Sequence, residues 1–209
     1  MEQGTGNPTR SASRSGCAKT KGIDFWENNG GTIAIKAVGP VTVICGGLTV
    51  SKGVDIVLDT SALGAEGGVF LFQDGSPLYV NGGSLTANGY VTIAFANNSV
   101  PQFTGGAVNL TAPPSGPYQG LAIMASKDNT KFPFILNGGS QQIITGAICL
   151  PGSAIQCPGN SSSTGTGSCT QIVASQVTFI GTTQIGSNCE GIGVRSFGSG
   201  GVTPTALLE

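Results

Sequence analysis

The chain has 209 residues, enough for one domain of ordinary size or one elongated solenoid. Charged residues make up 9%, against about 25% in an average globular domain, the net charge is −1, and histidine is absent. Nine scattered Lys and Arg exclude a basic stripe for nucleic acid, and the lack of His removes the commonest neutral-pH base and metal ligand. With 39% apolar residues and little net charge the chain is expected to fold, with neither cofactor nor metal.

Residues 1–16 are rich in Gly, Ser, Thr and Arg without periodicity and read as a flexible arm. From 17 to 193 the sequence reads as one β-domain. Ile23, Phe25 and Trp26 are expected to cap the N-terminal end of its core, since the end of a solenoid otherwise exposes apolar surface and unpaired edges. A first strand is expected near 32–37. Short apolar segments follow: VTVIC (41–45), DIVL (55–58), VFLF (69–72), PLYV (77–80), VTIAF (91–95), AVNLT (107–111) and QVTFI (176–180). Some alternate, as a half-buried strand does. Others are continuously apolar, as in a strand covered on both faces.

Glycine pairs punctuate these segments at 30–31, 46–47, 67–68, 82–83, 105–106, 138–139 and 200–201. The first five spacings are 16, 21, 15, 23 and 33 residues. They are too irregular for a strict hexapeptide repeat but suit coils with variable loops. The fold class expected is therefore all-β, a right-handed parallel β-helix or β-solenoid, with a β-sandwich as the alternative. The proline-rich stretch APPSGPYQG (112–120) removes ladder donors and should leave the regular coil. SKDNTKFP (126–133) is a second excursion. GLAIMAS (120–126) is too short for a stable helix and reads as a buried strand. Residues 151–169 are low-complexity Gly and Ser and read as a tethered loop, 170–186 as strands again, and 194–209 as a flexible tail.

Six cysteines stand at 17, 45, 149, 157, 169 and 189. An even number with no C-x-x-C and no His favours disulfides over zinc. Of the fifteen possible connectivities, sequence neighbours are expected to pair: Cys17–Cys45, Cys149–Cys157 and Cys169–Cys189. Disulfides imply an oxidising, extracytoplasmic compartment, the periplasm or the cell surface. No apolar run is long enough for a membrane span, and residues 1–16 are too polar for a signal peptide. The chain is thus expected to be part of a longer exported protein.

The run TGAICLPGSAIQCPGNSSSTGTGSCTQIVASQVTFIGTTQIGSNCEGIG (145–193) resembles the C-terminal region of TadG-like proteins of bacterial Tad (Flp-type) pilus assembly. The matching elements are Gly146, Ile148 and Pro151, a Gly/Ser loop, then Cys169, Thr170, Val173, Ala174, Thr178, Gly181 and Cys189. VICGGLTV (43–50) and APPSGPYQGLAIM (112–124) are similar to upstream elements, and the order of the motifs carries the resemblance. Cys149 and Cys157 depart from the pattern. The resemblance implies an extracytoplasmic, non-catalytic module of pilus assembly, envelope anchoring or adhesion. Its partners would be envelope or pilus proteins, with surface glycans also possible, and the membrane would be reached only through an N-terminal anchor not in this chain.

An enzyme is the competing class. A glycosidase needs two carboxylates about 5–10 Å apart, and Asp55, Asp59, Asp74 and Asp128 are the candidates. As isolated acids they read more simply as turn and solvent residues. Ser–Lys chemistry has only the adjacent pairs Ser51-Lys52 and Ser126-Lys127 to draw on. A lyase lacks an acidic cluster and a central Arg. A carbohydrate-binding adhesin would need an exposed aromatic groove, with Tyr79, Tyr90 and Tyr118 as candidates.

Overall fold

The computed structural model describes residues 23–25, 31–73, 75–96, 98–99, 101–130, 133–137, 142–158, 162–163, 169–181 and 184–186, with Cys189 and Val194. The arm expected over 1–16, Trp26, and the tail beyond Val194 lie outside these residues.

Strands follow one another in threes. The first circuit holds β1 (Ile23–Phe25), β2 (Gly31–Lys36) and β3 (Val41–Cys45). The second holds β4 (Leu48–Ser51), β5 (Val54–Asp59) and β6 (Gly68–Gln73), the third β7 (Leu78–Asn81), β8 (Ser84–Asn88) and β9 (Val91–Phe95). Next come β10 (Pro101–Phe103), β11 (Ala107–Thr111) and β12 (Leu121–Ala125), then β13 (Phe134–Leu136) and the long β14 (Gln142–Pro158). β15 (Ser162–Ser163), β16 (Thr170–Ile180) and β17 (Gln184–Ile185) complete the described strands.

Each strand pairs in parallel with the strand one circuit later. β1, β4, β7, β10, β13 and the end of β14 form ladder one. β2, β5, β8, β11 and the start of β14 form ladder two. β3, β6, β9, β12, the middle of β14 and the start of β16 form ladder three. The result is an all-β, strongly curled, mostly parallel sheet with a solenoid-like path. This topology displaces the β-sandwich alternative, whose hairpins and Greek keys pair strands antiparallel.

Inward side chains stack by identity of position. In ladder three, Thr42, Phe70, Ile93, Ile123, Ile148 and Ile172 occupy one column. Ile44, Phe72 and Phe95 begin the next, where the Phe72 and Phe95 rings stack with centroids 5.2 Å apart. In ladder two, Ile33, Ile56, Leu85 and Val108 lie in register. Adjacent columns merge into one core running along the axis. Each buried Leu, Ile or Phe in it contributes about 1.5–3 kcal/mol of burial free energy.

The glycine pairs at 82–83 and 105–106 mark one corner of successive circuits, between ladders one and two. Gly106 has φ +81°, and a Cβ there would run into the Gly83 carbonyl oxygen. Side chains are thus shut out where two circuits turn on top of each other. The excursion over 112–120 leaves the ladder as expected, between β11 and β12. The segment 151–158 does not form a loop. β14 continues through it to Pro158, because Ile155 and Cys157 alternate inward and fill the ladder-one core. The register slips between Leu150 and Ala154, which is where Pro151, unable to donate to a ladder, can be accommodated.

Candidate interaction faces

Much of the polar chemistry of this chain is turned inward, onto its own backbone. At the corner between ladders three and one, a buried polar ladder links five circuits. The Gly46 amide donates to Ser76 Oγ at 2.9 Å, and Ser76 Oγ in turn donates to the Gln73 carbonyl. Ser99 Oγ donates to the Phe72 carbonyl at 3.1 Å. Asn129 Nδ2 donates to the carbonyls of Ser99 at 2.7 Å and Ala96 at 3.3 Å, and Ser153 Oγ donates to the Asn129 carbonyl. All four side chains are at most 5% exposed. They add a second donor to the Phe72, Gln73 and Ala96 carbonyls, which also accept the Ala96, Ser76 and Ser99 amides, and they supply a donor to the carbonyls of Ser99 and Asn129.

The corner between ladders two and three uses threonine in the same way. Thr60 Oγ1 donates to the Tyr90 carbonyl at 2.9 Å, Thr92 Oγ1 to Leu121 at 2.7 Å and Thr170 Oγ1 to Ile144 at 2.6 Å. Ser and Thr here are part of the fold's own hydrogen-bonding, and sequence reasoning assigned them no such role. Their signal was a Ser or Asn recurring shortly before β7, β10, β13 and the end of β14.

The acids expected to form a carboxylate pair do not converge. Asp55 and Asp59 both point outward from β5, four residues apart, which on an extended strand is about 13 Å between Cα atoms. Asp55 accepts from Ser84 Oγ in the facing strand. Asp59 Oδ1 accepts from Ser61 Oγ at 2.7 Å, the Ser61 amide at 3.1 Å and Asn88 Nδ2 at 3.1 Å. The Ser61 hydroxyl and amide, with Lys36 in register alongside, hold the Asp59 carboxyl below the usual carboxylate range. That is the wrong direction for a general acid. Asp128 lies at another corner, exposed and ion-paired to Lys127 at 2.8 Å. Asp74 lies outside the described residues.

Neither Ser–Lys pair is joined. Lys127 Nζ donates to Asp128 rather than to Ser126, whose Oγ accepts from the Asp128 amide at 3.3 Å. The Asp128 carboxylate raises the Lys127 pKa, which moves the amine away from the neutral form a base requires. The tyrosines also divide. Tyr79 points out from ladder one between Thr49 and Gln102, whereas Tyr90 and Tyr118 sit half-buried at the corner between ladders two and three. They do not make one groove.

Cys169 and Cys189 form a disulfide, as expected. Cys45 is disulfide-bonded, and its expected partner Cys17 lies outside the described residues. Cys149 and Cys157 are not bonded to each other, which corrects the expected third pair. Cys149 points out from ladder three and Cys157 points into the core of ladder one, so the strand pleat and a corner separate them. Burial pushes the Cys157 thiol up to about 11.

The outer faces of the ladders differ in chemistry. Ladder two presents Asp55, Asp59, Lys36 and Asn88, and ladder one presents Thr49, Tyr79, Gln102, Ile135, Gln156 and Thr178. On ladder three the outward column reads Val43, Leu71, Ala94, Met124, Cys149 and Val173, in continuous register. Its strands, VTVIC, GVFLFQ, VTIAF, LAIMA, GAICL and TQIVA, contain no charged residue. Six strands at the usual ladder spacing make an uncharged strip about 24 Å long. Its members are half-buried apart from Ala94, which is buried, and Val173, which is exposed, and an uncharged apolar strip of this kind is the chemistry of a contact face.

No protein-family model, no curated protein and no solved structure matches this chain.

Proposed function

We propose that the chain is a non-catalytic module acting by surface contact outside the cytoplasm, on a right-handed parallel β-helix. The observation that carries the contact reading is the uncharged outward strip of ladder three, Val43 to Val173. The polar groups elsewhere support it: the corner hydroxyls are committed to neighbouring circuits, and Asp59 to Ser61 and Asn88. Parallel crossover connections are right-handed in nearly all proteins, which supports that hand for the helix. The Cys169–Cys189 disulfide supports an oxidising compartment. The motif order in 145–193 directs the search for partners to envelope and pilus-assembly proteins; that part rests on sequence resemblance alone.

The test is retention of envelope proteins by the immobilised chain at low and high salt, with an extract from a pilus-deficient strain as control. An uncharged strip predicts pilus-dependent retention that hardly changes with salt and is lost in Met124→Lys. Steep weakening by salt, or full retention by Met124→Lys, would overturn the contact reading. Equal retention from both strains would overturn the pilus assignment alone.

A further inference from the structure

The two halves of β16, the last long strand, are finished differently. Val177 and Phe179 in its second half are in register with the core residues Ile155 and Cys157, which are at most 1% exposed, yet they stand 39% and 52% exposed themselves. With Ile180 at 57%, the ladder-one core stops uncovered at this end. The chain that follows protects only the start of the strand. There the Thr170 amide donates to the Gly186 carbonyl at 2.9 Å, and Cys169 is bridged to Cys189. The chain leaves β16 at Gly181, whose φ is +82°, and its next described strand, β17, pairs with β15. Among the described residues β16 pairs only with β14, so the outer edge of its second half has no neighbour. Residues 175–180 contain neither charge nor proline, with which natural edge strands ordinarily block further pairing.

We infer that two copies of this chain pair through residues 176–180 of β16, antiparallel about a two-fold axis at Thr178. This surface is separate from the ladder-three strip and does not depend on it. Two identical strand edges hydrogen-bond under two-fold symmetry by running antiparallel. About Thr178, Val177 faces Phe179 of the second copy, Phe179 faces its Val177, and Gln176 faces its Ile180. An aromatic side chain opposite a β-branched one is a stabilising cross-strand pair. Both such pairs lie on the core face of β16, so the ladder-one core runs on from one copy into the other. No charge meets a like charge, because the segment has none. The edge is thus complementary to itself, and pairing uses it up, so the assembly closes at two copies.

The experiment is sedimentation of the full chain across a wide concentration range, joined to cysteine cross-linking. The wild type should pass from the 20.8 kDa monomer to twice that mass and no further. Val177→Lys/Phe179→Lys should stay monomeric with an unchanged β circular dichroism spectrum. Met124→Lys, on the ladder-three strip, should dimerise like the wild type. Cross-linking tests the register with both apolar side chains intact, Cys149→Ser having removed the half-exposed thiol. Facing residues of an antiparallel pair have Cα atoms about 4.5–5.5 Å apart, within disulfide reach, whereas Gln176 would stand about 13 Å along the strand from its own copy. Thr178→Cys should therefore cross-link to itself several-fold faster than Gln176→Cys. Mixing Gln176→Cys chains with Ile180→Cys chains should restore the fast reaction. A wild type that stays monomeric, or that grows beyond two copies, overturns the pairing and leaves the ladder-three contact reading standing. Dimers that survive Val177→Lys/Phe179→Lys, that are lost in Met124→Lys, or that cross-link as fast through Gln176→Cys as through Thr178→Cys overturn it as well.

Discussion

Gly105 and Gly106 show how sharply adjacent residues can differ in what the fold demands. Gly106 has φ +81° and its missing Cβ faces a carbonyl of the previous circuit, whereas a Cβ at Gly105 would meet nothing closer than the Gly82 nitrogen at 3.4 Å. Gly106→Ala should therefore cost about 2 kcal/mol or more, and Gly105→Ala well under half of that, in urea-unfolding midpoints. The cysteines divide in a similar way. Cys149 is half-exposed on ladder three, while Cys157 is 1% exposed with its thiol pushed up to about 11. At pH 8 a thiol reagent should modify Cys149 rapidly in the native protein and reach Cys157 only on unfolding. Equal rates would contradict the orientation of β14.

At the scale of elements, the corner ladder is what locks each circuit to the next. Asn129 is its most connected member, serving Ser99 and Ala96 and accepting at its own carbonyl from Ser153. Its Oδ1 has no partner, so the side chain is held by its donor end. Asn129→Ala takes the side-chain donor from the buried Ser99 carbonyl and one of two donors from that of Ala96, and should cost about 1–3 kcal/mol, read from the unfolding midpoint. Ser99→Ala removes one bond and should cost about 1 kcal/mol. These roles were hidden in the sequence, because Ser76, Ser99 and Asn129 sit in turns of different length and composition. Their equivalence appears only once β7, β10 and β13 are stacked. The strands themselves were far more legible. VTVIC, VTIAF and AVNLT coincide with β3, β9 and β11. The short, mixed β8 and β10 carry too few alternations to stand out, and their neighbours supply the order.

For the whole molecule, stability is a sum over neighbouring circuits rather than one cooperative core. The end circuits are the weakest links, and the Cys169–Cys189 disulfide ties the start of β16 to the chain that follows it. A loop of this length, 20 residues, is worth about 3 kcal/mol of chain entropy. Reducing it should speed amide exchange across Thr170–Ile180 while β5 through β12 keep their protection. Uniform loss of protection would mean the circuits unfold together.

The sequence by itself determined the class of this protein. Short apolar segments with glycine turns can bury their side chains only as stacked strands, and those properties are local. It also carried the Cys169–Cys189 bridge, though it equally favoured Cys149–Cys157, which does not form. Only the tertiary structure decided which residues share a column, because register depends on summed loop lengths that no local pattern encodes. The continuation of β14 through 151–158, rather than a loop, is what parts Cys149 from Cys157. Register gathers Val43, Leu71, Ala94, Met124, Cys149 and Val173, from six separate segments, into one uncharged face.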